Sequence, residues 1–219
     1  MLCAPGLMFI VQNVKQQHQG GTPSTDAEPF PFERSRLKTT DQRLLLAKYP
    51  ILFRAARYPA HYPSNIGYWG IECGPGWYPL LDRAAYEIEL ELEKLAGPGN
   101  SAKNIAWCDQ KLREIRADWQ SSGLQMDVPG PLIPYCHTIE VGSGCLQIRL
   151  CGGELCDAST WKELLAILAN AENAAATICE CCGEKGGFRP GYWERVLCDR
   201  CEDGQFLHGE CLALLDSYQ

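Results

Sequence analysis

Near its C-terminus the chain carries two Cys-x2-Cys pairs, Cys179 with Cys182 and Cys198 with Cys201, and fifteen residues separate them. This feature constrains the fold more than any other. Each pair has to form a knuckle on a tight turn, and the chain between them must run out and back so that the knuckles face each other. Four thiolates so placed are the ligand set of a tetrahedral Zn2+, and the spacing is that of a zinc ribbon. Gly183 supplies permissive backbone just after the first knuckle. Tyr192 to Leu197 alternates as a strand that leads into the second. Four protein ligands leave no open position for chemistry, so the expected role of the zinc is structural, and its removal should unfold this part. Cys181 lacks the x2 spacing to a partner. It reads as a spare thiol beside the metal or as a redox thiol that ejects zinc when oxidised.

The chain has thirteen cysteines in 219 residues, a number that disulfides in a secreted protein would also explain. The N-terminal apolar stretch contains Pro5-Gly6, lacks a basic start and runs into Gln12-Asn13-Val14-Lys15, which is not an export signal. Met8 is an alternative start to Met1. No stretch reaches the ~18 apolar residues of a membrane span. The expectation is therefore a reducing cytoplasm, no membrane, four cysteines on metal and most others packed as small hydrophobes.

Three segments follow from composition and period. Residues 1–39, rich in Gln, Gly, Pro, Ser and Thr, read as a flexible leader. Residues 40–177 read as an α+β body, and residues 178–219 as the zinc ribbon with a C-terminal tail. Within the body a helical turn over Thr40 to Ala47 precedes an aromatic, Gly/Pro-punctuated loop with Tyr58, His61, Tyr62, Tyr68, Trp69 and Trp77. A helix opens at Pro79 and stops at Gly97-Pro98, its stripe being Leu81, Ala85, Ile88, Leu92 and Leu95. Glu87, Glu89, Glu91 and Glu93 read as its solvated face. A second helix spans Ala102 to Trp119. Leu124, Met126 and Val128 alternate as a strand. Thr138 to Val141 and Cys145 to Leu150 flank Gly142-Ser143-Gly144 and predict a β-hairpin with Leu146, Ile148 and Leu150 inward. A third helix near Thr160, with a Thr160/Glu163 capping box, buries Trp161, Leu164, Leu165, Leu168 and Ala171 and delivers the chain to Cys179. The predicted fold is thus a small antiparallel sheet with three main helices, closed by the ribbon.

Other constellations are weaker. Cys136, His137, Cys145, Cys151 and Cys156 offer a second metal site or a Cys–His catalytic pair, but none has knuckle spacing. For nucleic acid, Lys185, Arg189, Arg195 and Arg200 with Trp193 for stacking form the candidate surface. Glu180, Glu184, Glu194, Asp199, Glu202 and Asp203 share that stretch, and the net charge of −7 does not favour phosphate.

Gly70-Ile71-Glu72-Cys73-Gly74-Pro75-Gly76-Trp77-Tyr78 before an acidic helix resembles, together with Ile178-Cys179-Glu180-x-Cys182-Gly183, Gly191-x-Trp193 and Leu197-Cys198-Asp199, uncharacterised zinc-ribbon proteins of bacteria, prophages and phages. Members often end the second knuckle in histidine, where this chain has Cys201. The resemblance implies a phage or prophage setting in a bacterial cell and assigns no activity. With the acidic balance and closed metal site, it leads to the expectation of a non-enzymatic protein that binds a host or phage protein as inhibitor or adaptor. A nucleic-acid-binding ribbon and a Cys/His enzyme are the alternatives.

Overall fold

A buried arginine organises the first half of the body. The structure, a computed structural model, describes residues 40–121, 130–190 and 194–204. Helix α1 (Thr40–Lys48) ends before Pro50, and its buried Gln42 donates from Nε2 to Ile71 O at 2.9 Å. Two short helical turns follow, α2 (Arg54–Arg57) and α3 (Asn65–Tyr68), the second capped by Ser64, whose hydroxyl accepts from Gly67 N. Arg54 of α2 is fully buried. It donates to Ile51 O at 3.0 Å, to Pro134 O at 2.7 Å and to Ile133 O, and from Nε to the Tyr62 hydroxyl at 3.1 Å. The Tyr62 hydroxyl in turn donates to Asp109 Oδ2 at 2.5 Å, and Asp109 Oδ1 accepts from Leu132 N at 2.8 Å. Arg54 and Asp109 approach to 3.6 Å, and the guanidinium lies 5.1 and 5.2 Å from the ring centres of Tyr62 and Tyr135. The loop predicted as irregular is thereby fixed from within.

Strand β1 (Ile71–Glu72) and a 3-10 turn (Pro75–Trp77) lead into α4 (Tyr78–Ala96), which has Pro79 in its first turn and ends at Gly97 with φ +76°. Leu81, Ala85, Ile88 and Leu92 of the predicted stripe are buried, Leu95 at its end is half-buried, and Ala84 is buried beside them. The glutamate face needs one correction. Glu89 is buried and not solvated, because its two carboxylate oxygens accept Ile51 N at 2.9 Å and Leu52 N at 2.7 Å, amides left over where the chain turns into α2. Helix α5 covers Ala102–Ser121.

The hairpin forms as expected. Strands β2 (Tyr135–Gly142) and β3 (Cys145–Cys151) pair antiparallel around Ser143 and Gly144, both at positive φ, as a tight two-residue turn requires. Leu146 and Ile148 point into the core while Cys145 and Arg149 are exposed. The sheet is mixed, however, and not purely antiparallel, because β1 joins β2 in parallel through Ile71 and Ile139. Two residues of strand carry no alternation, so the sequence gives no sign of them.

Helix α6 (Ala158–Ala175) packs on α4 and β3. Its cap is Asp157, whose carboxylate accepts Thr160 N at 2.7 Å, so Thr160 sits inside the first turn and is not the cap. Leu164, Leu168 and Ala171 are buried, whereas Trp161 is half-buried and Leu165 is 47% exposed. That apolar stripe is narrower than the sequence suggests. A second sheet, β4 (Gly187–Arg189) with β5 (Arg195–Leu197), and a final turn α7 (Asp199–Glu202) complete the described residues. Among them, no helix is long and apolar enough to cross a membrane. The leader over 1–39 and the strand over Leu124 to Val128 lie outside the described residues.

Candidate metal centre

The first knuckle grows directly out of α6. Ile178 bridges Lys185 in antiparallel fashion, Cys179 N donates to Glu184 O at 2.7 Å, and Gly183 N donates back to Cys179 O at 2.9 Å. That last turn requires the left-handed backbone of Gly183 at φ +80°. Glu180 N donates to Val196 O at 2.8 Å and ties the knuckle to β5. The second knuckle begins where β5 ends, and Cys198 O accepts both Cys201 N and Glu202 N. The four sulfurs of Cys179, Cys182, Cys198 and Cys201 lie within 4.8 Å of one another, with Cys182 and Cys198 Sγ at 3.7 Å. This arrangement can hold a metal ion.

The four thiols are not equivalent. Cys179 and Cys201 are buried, while Cys182 and Cys198 are half-buried. Desolvation pushes the Cys198 thiol up, but the N–H of Cys201 and the neighbouring thiols outweigh it and bring it down to about 7. Cys201 is raised by desolvation first and then by the other three thiols of the cage, whereas in Cys182 the rise from desolvation is opposed by the main chain of Glu184.

The body grips this knuckle through main-chain atoms. Gly76 N donates to Glu180 O at 2.7 Å, and Gly74 N donates to the Glu180 carboxylate at 3.0 Å. The buried Trp77 donates from Nε1 to Ile178 O at 2.7 Å. A Cβ on Gly76 would run into Cys179 O and lie 2.5 Å from Gly183 N, both main-chain atoms of the knuckle. Gly76→Ala is therefore expected to destabilise the protein by about 1–3 kcal/mol and to weaken metal retention with it. Urea unfolding and competitive metal titration of the variant check this, and unchanged values in both would contradict the close approach. At the other side, the β2–β3 turn meets β4, where a Cβ on Gly144 would lie 2.7 Å from the Phe188 ring.

The remaining candidates are placed as follows. Cys181 is half-buried and lies outside the four-sulfur group. Lys185, Arg189 and Arg200 line one cleft, and Arg189 is engaged there by Asp199 at 2.5 Å and Glu202 at 2.8 Å. Arg195, half-buried on β5, is close enough to Glu180 to oppose the rise that burial imposes on that carboxyl. Trp193 lies outside the described residues. Cys136, His137, Cys145, Cys151 and Cys156 do not converge, and among the described residues the four-cysteine group is the one set of three or more such donors. Burial pushes the thiols of Cys136 and Cys73 far up, which fits packed hydrophobes and not nucleophiles. Gly74, Gly76, Trp77 and Glu180 are the site residues that sequence spacing misses. Their one signal is the pair of motifs quoted above, which says nothing of contact.

Fold and site together define a mixed α/β protein with a four-cysteine group, able to hold a metal ion, rooted in its body. No protein-family model, curated protein or solved structure matches the chain.

Proposed function

We propose that the four cysteines hold zinc as a ribbon, and that the protein is a non-enzymatic inhibitor or adaptor that binds another protein in a bacterial cytoplasm, host or phage in origin. Zinc is supported by the donor set and by size. Zn–S bonds of about 2.3 Å in a tetrahedron put sulfurs about 3.8 Å apart, and Cys182 and Cys198 Sγ stand at 3.7 Å. With four protein thiolates bound, the ion has no open position and serves to hold the fold.

The observation that carries the binding role is the pair Tyr68 and Trp69, 62% and 55% exposed at the end of α3. Neighbouring large aromatics held in water by a rigid backbone are the side chains that anchor protein interfaces. The backbone here is rigid: Ile66 is buried, Gly67 sits tight against Ala55 O and the Ser64 hydroxyl, and Trp69 N donates to Asn65 O at 2.7 Å. A second apolar pair, Tyr86 and Leu90, faces outward on the acidic α4.

Nucleic-acid binding is the second reading, favoured by Lys185, Arg189 and Arg200 on one cleft with Phe188 of β4 49% exposed. The carboxylates of Asp199 and Glu202 on Arg189 count against it. Affinity capture from bacterial lysate by the full chain and by a Tyr68→Ala/Trp69→Ala variant separates the two. The expected result is a protein lost from the variant by about tenfold or more and unaffected by nuclease. Equal capture by both chains, with tight DNA binding that falls steeply with salt, would overturn the proposal.

A further inference from the structure

Trp69 closes α3, and Gly70 at φ +81° is the one residue between it and β1. The paired residues Ile71 of β1 and Ile139 of β2 are both buried, so the next pair, Glu72 and Glu140, leaves the sheet on the opposite face. Three steps of chain, about 10 Å at most, lie between Trp69 and Glu72. The stretch from Tyr68 to Glu72 thus presents two exposed aromatics and then a carboxylate, with a second carboxylate beside it. Helix α3 packs on β2, which holds this stretch to the sheet.

The local charge is not balanced. Glu72 is half-buried and makes no hydrogen bond or ion pair among the described residues. Burial raises its carboxyl above the ordinary value, and the charge of Glu140 adds to the rise. Helix α3 and the three strands carry these two glutamates against Arg149 and one imidazole, His137. Arg149 Nε stands 3.9 Å from Glu140, while its Nη2 donates to Gln147 Oε1 at 2.6 Å. That side chain is 64% exposed and reaches only one of the two carboxylates. The main chain at this edge is already engaged, Ile71 O by Gln42 and Gly74 N by the Glu180 carboxylate. A partner here meets side chains and does not add a strand.

We infer that Tyr68, Trp69, Glu72 and Glu140 form one docking surface for a segment of the partner protein that carries arginine or lysine. The inference rests on the protein-binding reading of Tyr68 and Trp69 and adds the chemistry of what they bind. A cation set over an aromatic ring is held by the negative face of the ring, most strongly by Trp. The glutamate pair supplies the counter-charge, since Glu72 has no cation of its own. A neutral segment gains the aromatic contacts alone, and an acidic one is repelled.

The test titrates full-length protein into short fluorescent peptides of leucine and serine that carry arginine, glutamine or glutamate at every third position. The arginine peptide should bind about tenfold or more tighter than the glutamine peptide, and the glutamate peptide weakest. Glu72→Gln/Glu140→Gln should bring the arginine and glutamine peptides within about twofold of each other. Glu93→Gln/Glu163→Gln removes the same charge from exposed positions of α4 and α6 and should leave the preference intact. Tyr68→Ala/Trp69→Ala should weaken the arginine and glutamine peptides alike. No preference for arginine, or an equal loss of it in the Glu93/Glu163 variant, overturns the inference. If binding still needs Tyr68 and Trp69 in that case, the protein-binding reading stands. Binding that ignores those two aromatics overturns the surface as a whole.

Discussion

Stripping the metal, or replacing Cys179 by Ser, is expected to unfold the chain from about Ile178 to Glu202 while α4, α5 and α6 remain helical. The reason lies in how little else holds this segment. Its sheet is three residues per strand, and among its described residues the buried apolar side chains are Val196 and the cysteines Cys179 and Cys201. Two short strands do not fold alone in water. Metal binding of this type contributes about 10–16 kcal/mol of apparent free energy, which in such a unit is folding free energy. The body keeps its own core around Leu81, Ile88, Leu92, Ile139 and Leu164. Trp77 reports the event, since it is fully buried and its Nε1 bonds Ile178 O. Its emission should shift to the red, protease cuts should appear between residues 178 and 202, and far-UV helicity should fall only slightly. Lowering the pH should act in the same sense, because protons compete with metal for the thiolates. Unchanged Trp emission and protease resistance after complete metal removal would refute the structural role.

The second large effect belongs to Arg54. Arg54→Met should destabilise the protein by about 3–5 kcal/mol, the cost of breaking a buried charge pair from one side. The change removes the positive charge opposite Asp109 and leaves the carbonyls of Ile51, Ile133 and Pro134 without their donor. Against a total stability of about 5–15 kcal/mol, that is a large share. Arg54→Lys should recover only part of it, because one ammonium cannot reach the positions of a planar fork. Adding Asp109→Asn to Arg54→Met should cost less than Asp109→Asn does alone, since the stranded charge is already unpaired. Urea unfolding of the four chains completes the cycle. Strictly additive losses would show that the two residues act independently.

How much of this was legible follows from where each signal sits. Pro79 and Gly97 bracket α4, and Gly142-Ser143-Gly144 turns the hairpin, because these conformational demands fall on the residues that meet them. The convergence of the four cysteines was legible for the same reason, since each pair is spaced by its own turn. The rest depends on partners far along the chain. Glu89 is buried because amides at Ile51 and Leu52 need acceptors, and β1 is a strand because β2 lies beside it. Asp157 took the cap that Thr160 was expected to fill because the helix begins earlier than its apolar stripe does. Nothing in the spacing of Gly74, Gly76 and Trp77 announces a metal knuckle a hundred residues later.

That last contact gives the protein a timetable. Gly74 and its acceptor Glu180 are 106 positions apart, and a ribosome adding about 5–20 residues per second needs about 5–20 s to cover the gap. During that interval the body has its helices and hairpin to assemble but not the knuckle that closes over Gly76. The four-cysteine group is complete only after Cys201 has emerged, so delivery of the proposed ion would be the closing step of maturation, and a cell short of metal would accumulate chains that are folded at one end and open at the other.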